Sequence, residues 1–148
     1  MQDQSEPPRR RSGYRTLLGY RTKIWRERYG EVELVLAPQH LNSLGVVHGG
    51  VYASLLDVAL GHAVSFSPVE GNTRYSTTVS LTTTFLEGVA AGPLTARGNL
   101  VGLYGRLVTA SGEVVDATGR LLAVAQGSFL YFPGSEQPAG VPKRTRKT

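Results

Sequence analysis

The sequence predicts an α+β domain in which one long, buried helix lies against a single curved antiparallel sheet. Two features point to it. The run from Gly50 to about Phe66 is longer than an ordinary strand and rich in good helix formers, including Ala53, Leu55, Leu56, Ala59, Leu60 and Ala63. After it come segments rich in β-branched residues, separated by short turns. At 148 residues the chain is long enough for one domain with a real core.

In order along the chain, residues 1–12 are polar, with Pro7-Pro8 and three arginines, and are expected to be a disordered basic tail. Gly13 to Arg21 is expected to form a short helix. From Ile24 to Ala37, Val32, Leu34 and Leu36 alternate with Glu31, Glu33 and Val35, which predicts a strand with one wet face. Pro38 ends it. His40 to His48 is too irregular for either element. The apolar residues of the long helix cover most of its circumference, so it should be largely buried, and Ser67-Pro68 ends it. Strands are expected at Thr77 to Leu86, Leu94 to Leu103, Gly105 to Val115 and Leu121 to Phe132. Asp116-Ala-Thr-Gly119 supplies the turn before the last. The domain thus spans 13–134, and 135–148 is expected to be a second disordered basic tail.

The absence of Cys excludes disulfides, thiolate metal sites and cysteine nucleophiles. No apolar run is long enough to span a membrane, and the N-terminus has no signal-peptide core, so a soluble cytoplasmic protein is the default. The net charge of +5 is unevenly distributed. Residues 1–30 carry eight Lys and Arg against three acids, and residues 135–148 carry four against one. The middle of the chain carries four against seven. Basic ends can bind nucleic acid, but solvated ends that maintain solubility are the favoured reading.

Within this frame one carboxylate stands out. From Leu41 to Val69, Asp57 is the only Lys, Arg, Asp or Glu. A lone acid in such a segment is costly to bury unless it is paired, protonated or used. Just upstream lie Asn42, Gly45 and His48-Gly49-Gly50. His40, His48 and His62 do not have a convincing metal-ligand spacing, so no metal is expected, and no cofactor. There is no Gly-x-Ser-x-Gly elbow and no phosphate-binding glycine loop.

The residues Asn42, Gly45, His48-Gly49-Gly50, Leu56-Asp57 and Gly61 resemble the hotdog fold, in particular the PaaI-like branch of the 4-hydroxybenzoyl-CoA thioesterase superfamily. Thr78 to Leu86 and the segment from Gly105 to Ala123 carry the resemblance further, which covers roughly residues 20–133. It implies hydrolysis of an acyl-CoA thioester, with aryl or medium-chain acyl groups as the usual substrates of that branch. Asp57 would be nucleophile or general base. The Gly49 N–H, at the helix N-terminus, would receive the developing oxyanion. Asn42 and a strand hydroxyl, Thr78 by register with the family, would position carbonyl and water. His48 would support the loop or act as a base. Gly50, Leu60 and Tyr75 are expected in the substrate-binding set. Arg106 and Arg120 are the phosphate contacts named for that set, with Arg74, Arg97 and residues of the tails as further candidates. Many relatives resemble Arg-Pro where this chain has Glu87-Gly88, and an acid is a poor neighbour for phosphate.

Helix geometry adds a constraint. Gly49 and Asp57 are eight residues apart, roughly 12 Å along one helix axis. One carbonyl cannot lie within ~3 Å of both. They can meet if helices of two subunits run antiparallel across a two-fold axis. The expectation is therefore a homodimer or homotetramer with shared sites, acyl-CoA as substrate and no membrane or nucleic-acid partner. Two alternatives remain: a hotdog hydratase or dehydratase, and a non-catalytic acyl-CoA-binding regulator.

Overall fold

The computed structural model describes residues 12–144. All but the last residue of the expected tail at 1–12 lies outside them, as do residues 145–148. The elements are α1 (Gly13–Leu18), β1 (Arg21–Arg26), β2 (Tyr29–Val35), a 3-10 turn (Pro38–His40), α2 (Gly49–Ser65), β3 (Asn72–Thr73), β4 (Ser76–Phe85), β5 (Pro93–Tyr104), β6 (Leu107–Val115), β7 (Leu121–Tyr131) and β8 (Val141–Pro142). Six strands form one antiparallel sheet in the order β1-β2-β5-β6-β7-β4. β3 and β8 form a separate two-stranded ladder.

α2 crosses one face of the sheet and buries Val51, Tyr52, Leu55, Leu56, Ala59, Leu60, Ala63 and Val64. Opposite them stand Val32, Leu34, Leu94, Ala96, Val108, Val114, Leu122 and Phe129. A row of glycines lets the helix approach so closely. Gly30 on β2 pairs with Gly98 on β5, and Gly98 pairs with Gly112 on β6. A Cβ at Gly98 would stand 2.4 Å from the Ala59 carbonyl oxygen and 2.7 Å from the Leu60 nitrogen. At Gly30 it would stand 2.4 Å from the His62 Cβ. Helix backbone thus rests on sheet backbone.

Two expectations change. The segment read as a short helix followed by one strand is α1 and then a β1–β2 hairpin, turning at Glu27-Arg28 with Arg28 at φ 61°. No Gly, Asn or Asp marks that turn, so the usual signal for a hairpin is missing. Of the expected C-terminal tail, residues 135–144 fold back onto the domain. Ser135 is fully buried, and Val141–Pro142 pairs with Asn72–Thr73. Main-chain pairing and buried contacts hold this segment despite its polar composition.

Candidate active site

His48 is the N-cap of α2. Its extended backbone (φ −68°, ψ 136°) precedes the first helical residue, and its Nδ1 accepts the Gly50 N–H at 2.8 Å. The Val51 N–H is taken by the His48 carbonyl at 2.9 Å. The Gly49 N–H has no acceptor among the described residues. The helix therefore opens on one free donor at the positive end of its dipole. The Phe85 ring packs on this corner, 3.4 Å from where a Gly49 Cβ would stand.

Two turns further along, Asp57 is half-buried and accepts a hydrogen bond from Thr78 Oγ1 at 2.7 Å. A bulge makes this contact. Thr78 opposes Phe129 on β7, whereas Ser80 opposes Ser128, so Val79 is left out of the pairing. Thr78 and Phe85 are seven residues apart, an odd spacing that places residues on opposite faces of a regular strand. The extra residue brings both to the helix side. Thr78→Val is expected to lower turnover about tenfold, because one charge-assisted hydrogen bond to the carboxylate is lost. Steady-state kinetics alongside a thermal melt would check that the loss is not one of folding.

Asp57 opens onto a cleft of about 360 Å³, whose lining includes Trp25, Gly61, His62, Arg74, Tyr75 and Thr78. Of the expected substrate-binding set, Tyr75 is there. Leu60 is not: it is fully buried against Gly112 and Gly127. At 3.6 residues per turn, positions 57, 58 and 61 face the cleft while 60 turns to the sheet. Gly50 spends its N–H on the His48 cap. Asn42 acts on its own loop, with Oδ1 accepting the N–H groups of Leu44 (2.9 Å) and Val46 (3.3 Å). Arg106 donates to the Tyr131 carbonyl at 3.2 Å.

Arg120 is held between two acids, 2.8 Å from Glu87 and 3.2 Å from Asp116. Hydrogen bonding from the Thr118 hydroxyl, with help from Arg120, holds the Asp116 carboxyl below the usual range. Glu87 thus pairs with Arg120. Its carbonyl also accepts the Tyr52 hydroxyl at 2.8 Å, and burial pushes that hydroxyl up to about 12.

The three histidines are engaged separately. His40 is buried, with Nδ1 accepting the Ala37 N–H and Nε2 donating to the Leu18 carbonyl, which requires the neutral Nε2–H tautomer. His62 is half-buried on the cleft, and its Nε2 lies 2.8 Å from Thr22 Oγ1. No group of three or more His, Asp or Glu residues that could hold a metal ion occurs among the described residues. Trp25 was not expected in the cleft wall, whereas Arg74, a candidate for phosphate, stands in it. Trp25 is the only tryptophan of the chain, but its strand carries no alternation that would place it.

The same pattern of helix, sheet and loop recurs in known proteins. The sequence profile described as the thioesterase superfamily matches residues 44–123, just over half of the chain, including the whole of α2 and the end of the loop before it. The chain belongs to the thioesterase superfamily. A proposed esterase of Archaeoglobus fulgidus is 33% identical over 113 residues, covering 76% of this chain and 70% of that protein. A conserved protein of Pseudomonas aeruginosa superposes with a TM-score of 0.76 at 30% identity, covering 82% of this chain and 94% of its own. The PaaI protein of the Escherichia coli phenylacetic acid degradation operon shares the fold at 23% identity and a TM-score of 0.73, covering 82% and 86% of the two chains. The architecture is that of the hotdog thioesterases, one long helix packed on a curved antiparallel sheet. Family membership supports thioester hydrolysis as the general chemistry. No helix among the described residues is long and apolar enough to cross a membrane.

Proposed function

We propose that this thioesterase hydrolyses acyl-CoA, with aryl or medium-chain acyl groups, at two equivalent sites of a homodimer or of a tetramer built from such dimers. The observation that carries the reading is the pairing of a Thr78-held carboxylate with an unspent N–H at Gly49 on one helix. The two stand roughly 12 Å apart along that helix, so one carbonyl is served by Asp57 of one chain and Gly49 of another. β4 supports the same assembly. It is an edge strand of ten residues without one charge, and Val79 is 52% exposed. Such an unguarded edge is completed by a second strand, and a two-fold axis beside it brings the two helices alongside.

In this reading Thr78 holds one oxygen of Asp57 and leaves the other to act. That oxygen attacks the thioester carbonyl to form an acyl anhydride, or takes a proton from the water that attacks instead. Either way the carbonyl oxygen gains negative charge beside the Gly49 N–H. Collapse breaks the C–S bond and CoA leaves as its thiol once protonated; on the water route this already gives the free acid, and on the anhydride route a water then hydrolyses the anhydride and restores Asp57. The amide nitrogen of Asn42 has no acceptor among the described residues and is available to position carbonyl or water, since its oxygen serves the loop. His48 acts by capping α2.

Gly49→Pro tests the oxyanion donor. Proline suits the first turn of a helix, and His48 already has the extended backbone that precedes proline. The variant should fold, and its turnover should fall ~10²–10³-fold. Mixing it with Asp57→Ala under subunit exchange then tests the shared site. Half of the dimers become hybrids with one intact site of two, and activity recovers to about a quarter of wild type. Exchange without recovery would place each site within one chain. Thiol release from a panel of aryl-, medium- and long-chain acyl-CoAs sets the substrate class. Salt-dependent DNA retention with no turnover on any thioester would favour a regulator instead.

A further inference from the structure

We infer that residues 133–144 form a phosphate-binding strap, in which Lys143 and Arg144 grip the phosphates of the CoA moiety at the rim of the Asp57 cleft. This rests on the acyl-CoA reading above and names where the anionic end of that substrate is held.

The strap is firmly anchored. After β7 it folds back over the connection between α2 and β4. The Oγ of buried Ser135 accepts the Tyr75 N–H at 3.0 Å. Arg74 donates from Nε to the Ser135 carbonyl and from Nη2 to the Glu136 carbonyl, at 3.0 and 2.8 Å. Ser67 Oγ and Asn72 Nδ2 both donate to the Ala139 carbonyl, at 2.7 and 2.9 Å. Gly140 (φ +63°) slips past Thr73, where a Cβ would stand 2.4 Å from the carbonyl oxygen. β8 then pairs with β3.

That anchoring sets two cations over aromatic residues of the cleft wall. The Lys143 N–H is bound by the Gly71 carbonyl at 2.9 Å, and the Arg144 N–H by the Tyr75 hydroxyl at 2.8 Å. The Lys143 ammonium lies 5.6 Å from the centre of the Trp25 ring, and the Arg144 guanidinium 5.4 Å from that of Tyr75. Trp25 and Tyr75 line the same cleft as Asp57. Aromatic faces orient cations without neutralising them.

Charge pairing separates these two from four other cations of the domain. Arg28, Arg74 and Arg106 also lack a carboxylate partner among the described residues, but each spends donors on main-chain carbonyls, and Arg26 lies over the Tyr29 ring. Arg21, Lys23, Arg97 and Arg120 each lie within ion-pair reach of at least one carboxylate. Lys143 and Arg144 have none within 4.0 Å among the described residues, so their charge is unspent. Arg120, expected to meet phosphate, is already neutralised, and Arg106 is tied to a carbonyl. Spacing also suits the substrate. The strap sits by Ser65, whose carbonyl accepts the Arg74 N–H, eight residues or roughly 12 Å along the helix from Asp57. A pantetheine arm separates the phosphates of CoA from its thioester and can span such a gap. A forked guanidinium beside an ammonium suits phosphate oxygens.

The test compares wild type with Lys143→Gln/Arg144→Gln, which keeps every main-chain anchor. Each is assayed with an acyl-CoA and with the same acyl group on pantetheine, which lacks phosphate. The double variant should raise KM for acyl-CoA by about tenfold and flatten its salt dependence. KM for the pantetheine thioester should move less than about twofold, since no phosphate is present to lose a contact. Equal shifts with both thioesters, or none with either, would overturn the inference. If wild type turned over no thioester, the hydrolytic reading would fail by itself. Calorimetry with CoA alone would then decide the strap. A Kd weakened about tenfold in the double variant upholds it. An unchanged Kd, or no CoA binding by wild type, overturns it.

Discussion

Asp57→Asn is expected to lower thiol release from acyl-CoA by ~10²–10⁴-fold, the range lost when a positioned general base or nucleophile is removed. Asn is the stringent substitution. It keeps the side-chain volume, and its oxygen can still accept the Thr78 hydroxyl that holds Asp57 at 2.7 Å. What it loses is the charge, and with it the ability to attack a carbonyl or take a proton from water. The fold should barely notice. Asp57 is half-buried with one side-chain partner and no ion pair among the described residues, so the melting temperature should move by only a few degrees. A colorimetric thiol assay with a thermal melt separates the two effects. Turnover within a fewfold of wild type would make Asp57 a structural carboxylate and end the proposed mechanism.

The second large effect is on stability. Gly98→Ala is expected to destabilise the domain by about 3 kcal/mol, at the upper end of overpacking costs. The corresponding drop in melting temperature is ~10 °C for a chain of this size. The added methyl would meet the Ala59 carbonyl oxygen at 2.4 Å and carbon at 2.6 Å, and the Leu60 nitrogen at 2.7 Å. All three are backbone atoms of α2, so no rotamer change relieves the clash. The helix must lift from the sheet or the strand must bend away. Lifting the helix also shifts Asp57 against Thr78, so activity should fall with stability. Gly102→Ala on the same strand is the control. Nothing lies within 4 Å of its Cβ, and the change should stay within ~0.5 kcal/mol.

The glycine row shows why part of the fold was not legible in the chain. Gly30, Gly98 and Gly112 are 68 and 14 residues apart in sequence and become neighbours only through strand pairing. The β1–β2 hairpin escaped for a local reason, a turn of Glu and Arg that carries no turn signal. The strap escaped for a compositional one: few apolar residues and several cations read as a solvated tail. Its place comes from pairing with β3 and from the buried Ser135, with partners about 60 to 70 residues away. α2, β4 and β7 were legible because each has one local pattern that agrees with its place in the fold. Leu60 was misplaced because its apolar character says that it is buried but not which wall it faces.

By itself the sequence determined the class of fold, the long buried helix, the loop that opens it and the singular acid at Asp57. Those features are local. Helix propensity, apolar coverage and a lone charge in a neutral run need no knowledge of distant residues. Tertiary structure alone decided which groups meet. A bulge at Val79 turned Thr78 onto Asp57, two acids paired with Arg120, and a returning strap set Lys143 and Arg144 over the Trp25 and Tyr75 rings. Each of these is a contact between segments far apart in the chain. Pairing register and close packing set such contacts, and neither is written in the residues of one segment.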